Sequence, residues 1–135
     1  MSYSDGQTGT VIYSGESPGQ VLLAGTVTKG DCLGYSSGWQ RSLGTTGGVI
    51  PFRAVAAEDG VSGQVIKVYF GETVVGGRFS GATAGGALYV AEGTSNGQYT
   101  QTLPSTSGDL TSVAGYMVTA TIAHLLPGFN QDTAA

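Results

Sequence analysis

The segment Gly34-Tyr35-Ser36-Ser37-Gly38 has the Gly-x-Ser-x-Gly spacing that presents the nucleophilic serine of many hydrolases. Asp109 and His124 follow it, which gives the chain order serine, aspartate, histidine of those enzymes. A nucleophile elbow needs a strand, a sharp turn and then a helix to expose the hydroxyl. Here Trp39–Leu43 follows, and it has the pattern of a returning strand. We therefore expect a hairpin turn at Ser36 and no enzyme, with a serine hydrolase as the remote alternative.

The other reactive side chains are too few or too isolated to form a site. His124 is the only histidine, so a site with several histidine ligands is excluded, and we expect a packed or rim histidine. Cys32 lies in an expected strand and fits a small buried side chain better than a nucleophile. Glu58 and Asp59 are adjacent, which suits a solvated turn. No Gly-x-Gly spacing or Gly-Lys phosphate loop occurs. We expect no catalytic, cofactor-binding or metal-binding residues.

The composition excludes several classes of function. Only 10% of the 135 residues are charged, and the net charge of −4 leaves no basic surface for nucleic acid. No apolar run approaches the 18 residues of a membrane-spanning helix, so we expect no membrane partner. The first residues lack the basic and apolar regions of a signal peptide. With a single cysteine, the chain needs no oxidising compartment, and we expect synthesis in a reducing cytosol.

Glycine and proline interrupt the whole chain, and this predicts an all-β fold with little or no helix. The 24 glycines leave one longer clear stretch, Tyr116–Leu126, and each glycine costs a helix interior about 1 kcal/mol. That stretch alternates, and we expect one strand with Tyr116, Val118 and His124 on its larger face. The pattern predicts eight or nine strands in a small rolled sheet, a barrel-like fold or a sandwich with short hairpins. The expected strands are Val21–Ala24, Cys32–Tyr35, Trp39–Leu43, Phe52–Ala56, Gln64–Phe70, Ala87–Ala91, Tyr99–Leu103 and Tyr116–Leu126.

The expected organisation is one β domain over residues 14–129, an N-terminal arm over residues 1–13 and a frayed tail over residues 130–135. The first ten residues contain no aliphatic side chain after Met1, which is typical of a flexible arm. The next residues, Thr10, Val11, Ile12 and Tyr13, favour a strand. They could add a strand to a partner's sheet, and they are then the candidate contact residues. The alternative is that they form the first strand of the domain's own sheet.

Four segments, in this order, resemble the small head-decoration (capsid cement) proteins of tailed bacteriophages. Together with the Val-Ala-Gly sequence that begins at Val113, they span about residues 20 to 126, and their order and spacing carry the resemblance. The segments are Thr28-Lys29-Gly30-Asp31-Cys32-Leu33-Gly34-Tyr35 with Ser37-Gly38-Trp39, then Ala54-Val55-Ala56-Ala57-Glu58-Asp59-Gly60, then Val65-Ile66-Lys67-Val68-Tyr69-Phe70-Gly71-Glu72, and then Ala82-Thr83-Ala84-Gly85-Gly86-Ala87-Leu88-Tyr89-Val90.

The resemblance implies a rolled domain of the β-tulip type that forms homotrimers on the outer surface of the virion. Such a protein is made in the host cytoplasm, binds the major capsid protein and stabilises the shell without catalysis or a cofactor. No capsid-contact motif of the family matches within residues 1–20. A β module of a head or tail fibre that binds a glycan is the alternative, and its candidate surface aromatic residues are Tyr35, Trp39 and Tyr99.

Overall fold

A computed structural model of the chain describes residues 3–129 and 131–135, and every regular element in that part is a β-strand. The prediction of an all-β fold with short hairpins is confirmed. None of the described residues forms a helix, so no helix could span a membrane. The thirteen strands are β1 (Ser4–Asp5), β2 (Val11–Gly15), β3 (Pro18–Leu22), β4 (Cys32–Tyr35), β5 (Trp39–Arg41), β6 (Ala54–Ala56), β7 (Val65–Tyr69), β8 (Thr73–Gly76), β9 (Phe79–Ser80), β10 (Ala87–Val90), β11 (Tyr99–Thr100), β12 (Val113–Met117) and β13 (Ile122–Leu125).

Five strands form a rolled antiparallel sheet in the order β3-β7-β6-β4-β5. A bridge between Leu23 and Trp39, with Ala24 N donating to Trp39 O at 2.8 Å, brings the two edges of this sheet together at one end. The edges meet only there, so the sheet curls without becoming a closed barrel. The inward side chains of all five strands form a small core, which Trp39 covers. Its buried members are Val21, Leu23, Val27, Leu33, Ala54, Ala56, Ile66 and Val68.

A larger core separates the rolled sheet from a six-stranded antiparallel sheet in the order β11-β10-β12-β13-β8-β2. The inner face of the six-stranded sheet supplies side chains such as Leu88, Met117 and Leu125. Strand β6 lies between the two cores, because Val55 packs into the larger core while Ala54 and Ala56 pack into the smaller one. A strand with apolar neighbours on both faces is buried at every position, as β6 is. The two sheets therefore form a small sandwich.

The structure pairs both ends of the described chain with the domain. Strand β1 pairs with β9, and β2 pairs with β8 at the edge of the six-stranded sheet, so residues 4–15 are not a free arm. This is the arrangement that the alternative interpretation of Thr10–Tyr13 described. At the other end, Ala134 N donates to Asp109 O at 2.8 Å and Thr111 N donates to Asp132 O at 2.8 Å. The described residues of the C-terminal tail are therefore hydrogen-bonded rather than frayed.

The prediction of one strand over Tyr116–Leu126 is wrong, because the segment is the hairpin β12–β13. Its turn contains neither glycine nor proline. The hydroxyl of Thr119 instead accepts hydrogen bonds from the backbone N–H groups of Thr121 and Ile122, at 3.2 and 3.1 Å. A threonine that bonds to the backbone two residues ahead is an established way to close a turn. The turn puts Met117 and Ala123 into the core, while Tyr116 and Val118 face outwards.

Candidate interaction surface

The outer face of the six-stranded sheet is apolar over most of its width. Five large side chains on it are between 41% and 59% exposed, namely Val11, Tyr13, Val113, Tyr116 and Val118. Antiparallel sheets that face water on one side normally carry polar residues there. We call this surface the sheet face, and it consists of Val11, Tyr13, Val74, Val113, Tyr116, Val118, Ile122 and His124.

The strand register places these side chains beside one another. Tyr116 lies opposite His124, and His124 lies opposite Val74 on the next strand. One step along the strands, Gly76 lies between Val11 and Ile122. Because Gly76 has no side chain, it leaves room for the ring of Tyr13. A Cβ at Gly76 would lie 3.0 Å from Cε2 of Tyr13 and 3.4 Å from Cγ1 of Ile122.

Two β-bulges decide which side chains face outwards. In β12, the register shifts between the partners of Leu88 and Tyr89, so that both Val113 and Tyr116 lie on the outer face although they are three residues apart. In β2, the register shifts between Ile12 and Ser14, and Tyr13 is the extra residue. A bulge redirects side chains in this way because it breaks the alternation of the strand. The apolar sheet face therefore depends on irregular strands.

Three hydrogen-bonded side chains, Tyr116, His124 and Glu72, provide the polar groups of the sheet face. Oη of Tyr116 lies 2.9 Å from Nδ1 of His124, and Nε2 of His124 lies 2.8 Å from Oε1 of Glu72. The rings of Tyr116 and His124 are 5.2 Å apart. Glu72 lies at the rim and is mostly exposed. These contacts orient His124 within an otherwise apolar surface.

Strand β2 is an open edge beside the sheet face, and the bulge at Tyr13 is the one feature it carries that disfavours pairing with another strand. No strand of the described residues pairs with its outer side, and the segment Thr10–Gly15 contains no charge, lysine or proline. Exposed edge strands usually carry such residues, because they prevent pairing with other chains. The edge strand of the rolled sheet, β3, begins with Pro18. An apolar face that continues to an open edge is typical of a surface that contacts another protein.

The four candidate contact residues divide between this surface and the interior. Val11 and Tyr13 belong to the sheet face, whereas Ile12 packs against the larger core. Thr10 is buried next to Gly30, whose missing side chain leaves space for it. The sequence did not point to Val113, Tyr116 and Val118 as a surface, because Val113 lies outside the expected strands and the other two belong to an expected strand that is longer and regular. Their β-branched and aromatic character was the available signal.

The serine, aspartate and histidine of the hydrolase spacing do not form a triad. Ser36 lies in the turn between β4 and β5, as predicted, and a strand rather than a helix follows it. The carboxylate of Asp109 accepts hydrogen bonds from the backbone N–H groups of Thr46 and Thr106, at 2.8 and 3.0 Å. Both ring nitrogens of His124 are bonded to Tyr116 and Glu72 instead. The arrangement provides no activated serine.

The three candidate aromatic residues do not form one surface. Tyr35 and Trp39 lie together at one end of the rolled sheet, with ring centroids 5.9 Å apart. Tyr99 is only 1% exposed, and its hydroxyl donates to Gly30 O at 2.9 Å, so it does not line a surface groove. Cys32 is completely buried, as expected for a small core side chain. Burial and the nearby charge of Asp31 raise the pKa of the Cys32 thiol.

A buried ionic network beneath the N-terminal strand holds the sheets together, and no local sequence pattern predicts it. Arg78 contacts Asp5 at 2.7 Å and Asp31 at 3.3 Å, and Asp31 also contacts Arg41 at 2.6 Å. Two positive and two negative side chains therefore balance. Burial raises the pKa of the Asp31 carboxyl, against the opposing effect of Arg78. The network joins segments that are far apart in sequence, and its role is structural.

Within residues 3–129 and 131–135, no group of three or more histidine, cysteine, aspartate or glutamate side chains is arranged to hold a metal ion. Comparison with known proteins adds no relative: no protein-family model matches the chain, no curated protein matches its sequence, and no solved structure matches its fold. The chain's own geometry is therefore what indicates its function, and large exposed apolar side chains are grouped together on the sheet face.

Proposed function

We propose that this protein is a decoration protein of a tailed-phage head, which binds the outer surface of the shell as a homotrimer and stabilises it. The observation that supports the proposal most is the exposed apolar sheet face, which ends at the open edge strand β2. The order of the four sequence segments that resemble decoration proteins supports it independently.

In this proposal the sheet face contacts the major capsid protein. Covering Val11, Tyr13, Val113, Tyr116 and Val118 removes apolar surface from water, which stabilises a complex by about 25 cal/mol for each Å² that is buried. The face carries a single histidine and a glutamate at its rim, so few charges lose their hydration on contact. The side of strand β2 that faces away from β8 also offers the partner a sheet edge.

Mass action explains how many weak contacts stabilise a shell. A ligand that binds only the assembled lattice stabilises it by RT ln(1 + [L]/Kd), about 2.7 kcal/mol for each site at one hundred times Kd. A trimer at a threefold position engages three identical surfaces at once, so its effective affinity exceeds that of one subunit. The protein then resists the pressure of packaged DNA without any single strong contact.

The test compares shells with and without the protein. Particles that lack it are expected to assemble but to release their DNA at a lower temperature than complete particles, and purified protein should restore the difference. Sedimentation of the purified protein and of protein released from shells should give the mass of three chains. If bare and decorated shells release DNA at the same temperature, the decoration function is wrong.

A matched pair of variants tests the surface. Tyr13→Asp introduces a charge into the sheet face, and Leu22→Asp introduces the same charge at an equally exposed position on the rolled sheet. We expect Tyr13→Asp to bind shells at least about tenfold more weakly, since burying an unpaired charge costs several kcal/mol, and Leu22→Asp to bind normally. Circular dichroism and melting temperature must show that both variants are folded. Equal binding by the two variants would place the shell contact elsewhere.

A further inference from the structure

The tip of the hairpin β4–β5 combines aromatic rings with small polar groups. Tyr35 and Trp39 are paired across the two strands, and Ser36-Ser37-Gly38 connects them. Ser37 has a φ of 55°, a conformation that is uncommon for residues other than glycine, and Gly38 has a φ of 122°. Ser36 N donates to Gly38 O at 2.9 Å, which tightens the turn. Ser37 therefore has an uncommon backbone conformation close to the exposed ring of Tyr35.

Three rings form a cluster at this end of the rolled sheet. The rings of Tyr35 and Trp39 meet edge to face at 82°, and those of Trp39 and Phe70 meet at 64° with centroids 6.0 Å apart. Gly19 makes room for Phe70, because a Cβ there would lie 2.5 Å from Cε2 of its ring. Trp39 packs against the smaller core, so it is fixed, whereas Tyr35 is 64% exposed. The exposed ring of Tyr35 therefore stands beside the packed ring of Trp39.

Uncharged hydrogen-bonding residues flank Tyr35 and Trp39 in the hairpin. The hydroxyl-bearing residues Ser36 and Ser37 are exposed at the turn, and Gln40 follows Trp39 in the chain. The amide of Gln40 donates to the carbonyl oxygen of Ser36, which fixes its side chain beside the turn. Residues 33–40 include no aspartate, glutamate, lysine, arginine or histidine. The tip thus offers apolar rings with neutral donors and acceptors at their edge.

We propose that this hairpin tip binds an uncharged saccharide in the pyranose form. A pyranose ring has an apolar face of C–H groups and a rim of hydroxyl groups. The apolar face can pack on an exposed aromatic ring, while serine and amide groups bond the hydroxyls. Binding sites for small molecules commonly combine aromatic walls with a few fixed polar groups in this way. The site belongs to the rolled sheet, apart from the sheet face, and its function is additional to shell binding.

A proline-rich peptide is the other ligand that aromatic clusters accept, and the geometry favours it less. Such peptides dock in grooves that are lined by several exposed aromatic rings. Here the rings meet edge to face, Trp39 packs against the smaller core, and Phe70 is only 39% exposed. Only Tyr35 presents most of its ring to solvent. One exposed ring with a polar rim matches a single sugar unit.

The test uses the fluorescence of Trp39, which is the only tryptophan in the chain. The full-length protein is titrated with four neutral oligosaccharides (cellohexaose, chitohexaose, maltohexaose and mannohexaose) and with a proline-rich decapeptide. We expect a saturable change in emission with at least one of the oligosaccharides. Tyr35→Ala should weaken this binding at least about tenfold, as expected for an aromatic contact residue. Tyr116→Ala, which removes an exposed tyrosine from the sheet face, should leave it unchanged.

Three results would overturn the proposal. No saturable change with any oligosaccharide means that the tip does not bind the proposed class of ligand, and a response to the decapeptide alone means that its ligand is a peptide. Equal weakening by Tyr35→Ala and Tyr116→Ala means that the sugar binds elsewhere. Both variants are first compared with the parent protein by thermal melting, and Tyr35→Phe provides a second variant that keeps the ring. Shell binding by Tyr35→Ala separates this result from the decoration function.

Discussion

The carboxylate of Asp5 lies 2.7 Å from Nε of Arg78, and both side chains are buried although 73 residues separate them in the chain. A second contact joins Oδ2 of Asp5 to Nη2 of Arg78 at 3.0 Å. The same carboxylate accepts hydrogen bonds from the backbone N–H groups of Gln7 and Tyr99, at 2.9 and 3.0 Å. Asp5 therefore connects the N-terminal strand to β11 and to the residue that precedes β9.

This contact explains why a two-residue strand such as β1 is held in place. Arg78 is fully shielded from water, and removing it from water without a partner would cost several kcal/mol. Hydrogen bonds from Arg78 to Asp5 and the negative charge of Asp5 raise the pKa of the guanidinium against the effect of burial. The domain thus needs Asp5 in order to bury Arg78, and the N-terminal residues belong to the folded unit.

We predict that Asp5→Asn lowers the free energy of unfolding by about 3 kcal/mol, because it leaves a buried charge without its main partner. Urea unfolding, followed by circular dichroism, measures this change directly. Asp132→Asn is the matched control, since Asp132 is exposed, and it should change stability by less than about 0.5 kcal/mol. Equal stability of the two variants would contradict the role of Asp5. Deletion of residues 1–9 should destabilise the protein at least as much as Asp5→Asn.

The fold class could be predicted because local pattern determines it. Frequent glycine prevents long helices, and segments such as Cys32–Tyr35 alternate with turn residues at short spacing. The partner of each strand could not be predicted in this way. Strand β1 has only two residues, which is too short for any alternation, and its position depends on the distant Arg78. Contacts between remote residues leave no mark in a local pattern.

The candidate surface was predictable in part for a similar reason. Val11 and Tyr13 stood out because they follow a polar stretch as a short β-prone segment. Tyr116 and Val118 were assigned to the larger face of one long strand, so the hairpin and the bulge at β12 could not be anticipated. A bulge shifts the alternation by one residue and thereby exchanges the two faces of a strand. The alternation of apolar and polar residues therefore predicts outward-facing side chains poorly in a strand that contains a bulge.

Thr119 gives a second prediction, which concerns the turn between β12 and β13. Thr119→Ala removes the acceptor of two backbone hydrogen bonds, from Thr121 and Ile122, and should lower the free energy of unfolding by about 1 kcal/mol. Thr119→Ser keeps a hydroxyl at the same position and should retain most of the stability. Urea unfolding of the two variants beside the parent protein checks the difference. A loss that is as large for serine as for alanine would mean that the methyl group matters instead.

A third prediction concerns the accessibility of Cys32. The thiol is completely buried, and burial raises its pKa, so the reactive thiolate is scarce in the folded protein. We expect Ellman's reagent to leave the native protein unmodified and to react with one thiol per chain in concentrated urea. The rate at intermediate urea should follow the fraction of unfolded protein. Complete reaction in buffer without urea, while circular dichroism remains native, would show that the core around Cys32 opens locally.

The last prediction concerns alkaline pH and follows from Cys32 and Tyr99. Burial raises the pKa of both groups in the folded protein, and the charge of Asp31 adds to the effect on Cys32. In the unfolded chain the thiol has a pKa of about 8.5 and the phenol of about 10. A raised folded pKa gives stability that is fully present below the unfolded pKa and is lost as the pH rises, because only the unfolded chain releases its protons.

Stability should therefore fall above about pH 8.5 and more steeply above about pH 10, by up to about 1.4 kcal/mol per pH unit for each group. Urea unfolding at a series of pH values measures this slope.

Tyr99→Phe removes one buried phenol and should make the slope above about pH 10 shallower by close to one proton. The variant also loses the hydrogen bond to Gly30 O, so its stability at neutral pH is lower, but the slope is independent of that loss. Tyr116→Phe removes a phenol from the exposed sheet face and provides the matched control. A slope that is the same in Tyr99→Phe as in the parent protein would mean that Tyr99 ionises without unfolding.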